Sequence, residues 1–152
     1  MSEESAVLHF STDGIATVTL NRPEVHNAFD EELIERLGDI FEDLGHQEGV
    51  RAVVVAAAGK SYCAGADLNW MKRAAGFTEE DNRDDALALG RMLKNLQDIP
   101  KPTIALVQGA AYGGGLGLVA ACLLSTSASA DDEDVLALGG RPITNKKKKQ
   151  NR

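Results

Sequence analysis

Two glycine-rich stretches hold the residue types that could do chemistry: Cys63-Ala64-Gly65-Ala66-Asp67-Leu68 and Gly109-Ala110-Ala111-Tyr112-Gly113-Gly114-Gly115-Leu116-Gly117. Each follows an apolar run that reads as a buried strand. Each offers backbone N–H groups with almost no side chain in the way. Two such donors converging on one point stabilise a developing oxyanion, and losing one typically costs about 3–4 kcal/mol of barrier. The chemistry that calls for such a pair is acyl-thioester activation, in which the carbonyl oxygen gains charge as a nucleophile adds to a conjugated double bond or an α-proton leaves. Gly113-Gly114-Gly115 followed by an apolar helical run also suits a helix N-terminus, whose dipole favours negative charge. One glycine segment alone is more often a tight turn or a close packing contact; two, each after a strand, favour the chemical reading. Gly115-Leu116-Gly117-Leu118-Val119-Ala120 also fits the dinucleotide fingerprint G-x-G-x-x-G/A. That fingerprint opens a βαβ unit, and the sequence that follows here lacks one, so the oxyanion reading is preferred.

Alternating or buried elements must position these stretches. Residues 6–10 and 14–20 alternate around the turn residues Ser11-Thr12-Asp13-Gly14 and predict a β-hairpin. Asn21-Arg22-Pro23 ends its second strand. Asp30 predicts a helix N-cap, with Glu31 and Glu32 in the first turn. The helix carries Leu33, Ile34, Leu37, Ile40, Phe41 and Leu44 on one face, and Gly45 stops it. Residues 50–57 form a near-continuous apolar run, expected as a fully buried strand. Leu68 to Lys72 predicts a helix, the polar residues 76–85 an exposed loop or lid, and Ala86 to Asp98 another helix broken by Pro100 and Pro102. Thr103 to Val107 is a further strand, and Leu116 to Cys122 opens a last helix. The order β-β-α-β, loop, α-β, glycines, α indicates the α/β class.

The chain has 152 residues, 43% of them hydrophobic and 5% aromatic, enough for one domain with an aliphatic core. Its net charge of −7 argues against a general nucleic-acid partner, which needs clustered Lys and Arg. Residues 1–122 hold 10 basic and 19 acidic side chains, whereas residues 123–152 hold 6 and 4, so the charge balance changes near position 122. The later stretch combines Ser/Ala repeats, the acidic run Asp131 to Asp134 and the basic run Lys146 to Lys149. It reads as a disordered tail separate from a domain over 1–122. Four lysines are a weak case for an RNA-binding tail. Cys63 and Cys122 match no metal or disulfide pattern. The acidic N-terminus carries no leader pattern and no apolar run has membrane-spanning length, so a cytoplasmic protein without membrane association is expected.

Leu20-Asn21-Arg22-Pro23 with Asn27-Ala28, then Ala64-Gly65-Ala66-Asp67-Leu68, then Gly109 to Gly115, in this order, resemble the enoyl-CoA hydratase/isomerase (crotonase) family over residues 6–122. Ala66 to Lys72 more narrowly resembles its methylglutaconyl-CoA and carboxygeranoyl-CoA hydratase branch. The resemblance implies a spiral of ββα units, present here as its N-terminal half, assembling as a trimer or hexamer. It implies an acyl-CoA thioester substrate, with coenzyme A entering as part of the substrate and no separate cofactor or metal. It puts the oxyanion-binding N–H groups on Ala66 and Gly114. Coenzyme A would run along Val25, His26 and Ala28 and along Ala64, Ala66, Asp67 and Leu68, beside Gly114. His26 is then a surface or phosphate contact, not the base; Cys63 is a packing residue; Tyr112 lines the acyl pocket or packs. The expected reaction is addition of water to an unsaturated, possibly branched, acyl group. Hydratases of the family use two glutamates. Gly117 stands at the first position, and the pattern stops after Cys122, before the second. Glu133 lies in a solvated charge run. Two alternatives follow: a non-catalytic fragment that binds acyl-CoA weakly or joins full-length subunits, and an acyl-CoA isomerase or hydrolase of the same family.

Overall fold

The computed structural model of the chain describes residues 4–126. Of the tail expected to be disordered over 123–152, residues 123–126 are instead helical, where the apolar run through Leu123 and Leu124 continues the last helix, and the rest lies outside the described residues. The elements in chain order are strands β1 (Ala6–Phe10) and β2 (Ile15–Leu20), a single 3-10 turn (Pro23–Val25), helix α1 (Glu31–His46), strand β3 (Ala52–Ala57), helices α2 (Leu68–Ala74) and α3 (Glu79–Gln97), strand β4 (Thr103–Ala105) and helix α4 (Gly114–Thr126). They form one four-stranded sheet in the order β1-β2-β3-β4. The β1–β2 hairpin is antiparallel, Ala6 opposite Leu20. The β2–β3 and β3–β4 pairs are parallel, with Ala16 opposite Val53 and Val53 opposite Thr103. Parallel neighbours require crossovers: α1 joins β2 to β3, and α2 with α3 joins β3 to β4. The α/β expectation therefore holds.

Helix α1 starts where the sequence predicts, but it runs through Gly45, the expected stop, to His46. The Asp30 carboxylate caps it by accepting from Leu33 N at 2.9 Å, and Leu33, Ile34, Leu37, Ile40, Phe41 and Leu44 are all buried. At its other end the Lys101 ammonium donates to the carbonyls of Leu44 (2.8 Å) and Gln47, groups that helix geometry leaves unpaired. The buried face of α1 shares one core with Ala16, Val18 and Leu20 of β2, Val53 and Val55 of β3, and Met92 and Leu96 of α3. Helix α3 packs on α1 and α4, and α4 packs on β4.

Three expectations are corrected. Strand β3 is not buried on both faces: Val53 and Val55 are buried while Ala52, Val54 and Ala56 are half-buried. Alanine and valine occupy both faces of the strand, so hydropathy alone hid the period of two. The last elements differ at their bounds, β4 ending at Ala105 and α4 starting at Gly114. Residues 79–84 are exposed as expected and Asp85 is half-buried, yet the stretch is helical: α3 starts at Glu79, not Ala86. A capping box explains this. Thr78 Oγ1 accepts from Asp81 N at 3.0 Å while the Asp81 carboxylate accepts from Thr78 N at 3.4 Å, and three acids occupy the first turn. Caps and charge, with no apolar stripe, carry that half of the helix.

Removing the box should therefore act locally. Thr78→Ala is expected to cost about 0.5–2 kcal/mol of helix stability, read as faster amide exchange over residues 79–85 with exchange in β2 and β3 unchanged.

Candidate functional site

The site is built on the connection between β2 and α1. After Leu20 the chain turns through two consecutive left-handed residues, His26 (φ 55°) and Asn27 (φ 57°). Asparagine tolerates this region better than most residues, and Asn27 is fully buried because its side chain has partners on every side. Its Oδ1 accepts from Arg22 N at 2.7 Å, and its Nδ2 donates to Ala58 O at 2.8 Å and Ser61 O at 3.0 Å. The His26 ring meets Ser61 Oγ at 3.0 Å through Nδ1. Asn27 thus stitches the β2–α1 connection to the loop after β3.

Beyond that stitch, the two segments run parallel as backbone. Ala64 N donates to His26 O at 3.0 Å, Phe29 N to Gly65 O at 2.7 Å, and Asp67 N to Phe29 O at 2.7 Å. Phe29 and Ala66 form an isolated parallel bridge. In such a bridge the residue facing the doubly bonded partner contributes only through its two neighbours, so the N–H of Ala66 itself points away from Phe29. The second glycine stretch docks alongside through a matching bridge, Cys63 with Ala111. The two stretches touch. A Cβ on Gly65 (φ +94°) would lie 3.1 Å from Tyr112 O, and one on Gly114 would lie 2.6 Å from the Phe29 ring. Only glycine fits at either position. Gly114 is the first residue of α4, where the helix has no acceptor for its N–H. Neither Ala66 N nor Gly114 N donates to any described residue.

Val25, His26, Ala28, Ala64, Ala66, Asp67 and Leu68, all proposed from sequence, line one cavity of about 460 Å³ together with Asn69 and Lys72. Gly114 does not line that cavity; it packs against the Phe29 ring. Asn69 and Lys72 were missed, although Lys72 falls four residues after Leu68 and three after Asn69, on the same side of α2. Arg22 was quoted as part of a motif but given no role. Its guanidinium donates to Ala28 O and to Asp67 Oδ2 (3.1 Å), and lies 3.4 Å from Asp30 Oδ2. The Asp67 carboxylate also caps α2 through Trp70 N at 3.0 Å. Burial alone would raise the Asp67 carboxyl. Donation from Trp70 N, Arg22 and Asn69 N outweighs it and holds the group below its ordinary value of 3.8. Gly115 and Gly117 lie inside α4, eight or more residues past β4, so they cannot form the strand-to-helix turn of a dinucleotide site. Tyr112 is exposed. Among the described residues no cluster of His, Cys, Asp and Glu could hold a metal ion, and no helix is long and apolar enough to cross a membrane.

The enoyl-CoA hydratase/isomerase family model matches residues 11–131. The chain belongs to this family. A Thermus thermophilus protein, provisionally named an enoyl-CoA hydratase, is 41% identical over 108 residues, which cover 71% of this chain and 43% of the relative. A Legionella pneumophila structure, provisionally described as an enoyl-CoA hydratase/isomerase (crotonase), is 44% identical, with a TM-score of 0.76 over 80% of this chain and 46% of that one. An enoyl-CoA hydratase structure from Shewanella pealeana is 41% identical, with a TM-score of 0.75 over 78% and 44% of the two chains. This hydratase/isomerase family chain thus spans about half the length of the curated relatives it matches, and its four-stranded sheet is crotonase fold.

Both cysteines are buried, and burial pushes their thiols up, Cys63 to about 11 and Cys122 to about 12, against small lowering contributions from the Gly65 backbone and Thr103. A thiol held neutral in the fold but free to ionise when unfolded stabilises fully below its unfolded pKa, which is about 8.5. Stability is then lost as pH rises from there towards the folded values. Denaturant titrations at rising alkaline pH should show that loss, and Cys63→Ala should flatten part of it. Neither thiol should react with a disulfide reagent before the chain unfolds.

Proposed function

We propose that this chain binds an acyl-CoA thioester, with the thioester oxygen accepting from Ala66 N–H and Gly114 N–H and coenzyme A lying along the cavity of Val25, His26, Ala28, Ala64, Ala66, Asp67 and Leu68. The reading rests above all on the two unpaired donors, one on each of two touching loops. Ala66 is exposed and Gly114 half-buried, so both donors are open to a ligand, and one acyl oxygen accepting from both is the proposed use of the pair. Gly114 adds the dipole of α4. Lys72 and His26, on the rim of the same cavity, suit the phosphates of coenzyme A.

The reaction proposed is enoyl-CoA hydratase-type lyase chemistry. Charge gathers on the thioester oxygen as water adds to the β-carbon, and the two N–H groups oppose it. Hydration also needs groups that move protons to and from water and the α-carbon. Gly117, at the position of the first family glutamate, moves none. That observation favours a second reading for the chain as given, acyl-CoA binding and carbonyl polarisation without turnover. The finer branch, hydration of a branched substrate, rests only on Ala66 to Lys72, and assembly as a trimer or hexamer only on the family.

Binding of crotonyl-CoA and of its thioether analogue, which lacks the carbonyl oxygen, tests the shared core of both readings. Wild type should prefer the thioester by roughly tenfold, as two modest hydrogen bonds allow. Ala66→Pro, which removes a donor that no intramolecular bond uses, should lose most of that preference while the melting temperature reports an intact fold. Equal binding of the two ligands by wild type would sink the assignment. Loss of the enoyl absorbance on mixing then separates turnover from binding alone.

A further inference from the structure

Arg22 is a largely buried cation that touches both halves of the site without lining its cavity. Its side chain is only 18% exposed and the Asp67 side chain it meets only 7%. The fork reaches three acceptors: the Ala28 carbonyl, immediately before the bridged Phe29; Asp30, immediately after it and cap of α1; and Asp67, immediately after the bridged Ala66 and cap of α2. Every neighbour of the Phe29–Ala66 bridge except Gly65 is therefore tied to one planar group.

Gly65 is the weak point of that bridge. Its φ of +94° lies where glycine alone is at ease, and the peptide that follows it carries the Ala66 N–H. The bridge is isolated, one residue long on each side, and one hydrogen bond, Phe29 N to Gly65 O at 2.7 Å, holds that peptide from its carbonyl side. A side chain holding Asp67 adds a second hold from the far end. Arginine suits the task because its donors are rigidly arranged and always charged, whereas lysine offers a point charge on a flexible stem.

We propose that Arg22 is a positioning residue for the oxyanion-binding pair: by clamping Ala28, Asp30 and Asp67 it fixes the direction of the Ala66 N–H. It touches no substrate. The inference rests on the proposed thioester site and predicts an effect on carbonyl polarisation separate from affinity.

The probe is hexadienoyl-CoA, whose conjugated carbonyl absorbs further to the red when its oxygen is polarised. The full chain is compared as wild type, Arg22→Lys and Asp67→Asn, with spectra taken at saturating protein and melts recorded for each. Wild type should bind with a red shift. Arg22→Lys should stay folded and keep affinity within about threefold, because the cavity wall is intact, yet lose at least roughly half the shift per bound ligand. Asp67→Asn should reduce the shift in the same direction. A folded Arg22→Lys with the full wild-type shift overturns the proposal, as does a loss of affinity with the shift per bound ligand unchanged, the result of a purely structural clamp. If Arg22→Lys fails to fold, Asp67→Asn decides by the same two criteria. A wild-type chain that binds without any shift, or does not bind, is a different failure: it removes the thioester site itself and the proposal with it.

Discussion

The parallel pairing of residues 26–29 with residues 64–67 is the constraint from which the site follows. Three backbone hydrogen bonds of 2.7–3.0 Å join two loops that belong to different sheet connections. Their pattern commits Gly65 O and Asp67 N to Phe29 and turns the Ala66 N–H the other way. The same pairing stacks Val25, His26 and Ala28 against Ala64, Asp67 and Leu68, so the cavity wall and the free donor are two consequences of one register. A slip by one residue would present a different peptide and bury the Ala66 N–H. The register is guarded from both ends: Asn27 locks the entry through three side-chain bonds, and Asp67 locks the exit as cap of α2.

Holding that register requires two non-glycine residues in left-handed backbone, a conformation that costs roughly 1–2 kcal/mol per residue. The Asn27 amide offsets much of this, since each buried hydrogen bond contributes about 0.5–1.5 kcal/mol and an unmade one costs more. The sheet contributes the rest of the rigidity. Tyr62, fully buried, donates its hydroxyl to Val55 O at 2.9 Å and pins the loop just before Cys63 to the core strand β3. Burial pushes that phenol well above its ordinary value, which favours the protonated, donating form.

What was legible in the sequence follows the physics of each signal. The α1 face could be read because six apolar residues repeat at helical spacing and Asp30 caps them. The seven residues that the family resemblance set along coenzyme A line one cavity, but that grouping came from the resemblance and not from any local physical signal. The start of α3 was misread because periodicity was sought where a capping box was the operative signal, in Thr78 and Asp81. Arg22 is the instructive miss. Its partners Asp30 and Asp67 lie 8 and 45 positions away, and nothing in local spacing says that two helix caps converge on one side chain. Long-range polar contacts have no period, so only coordinates reveal them.

On the proposed reading, the described residues separate two jobs that hydration needs together. Main-chain donors polarise the carbonyl, and each is worth about a hundredfold to a thousandfold in rate when the geometry is right. Proton transfer by positioned side chains contributes a comparable factor, about a hundredfold to ten-thousandfold. The first job belongs to backbone and survives any side-chain change that leaves the register intact. The second depends on particular carboxylates, and Gly117 supplies none. A chain of this kind can evolve or lose its reaction without disturbing its capacity to hold and polarise a thioester. Polarisation, not turnover, is therefore the property by which the residues of this half should be judged.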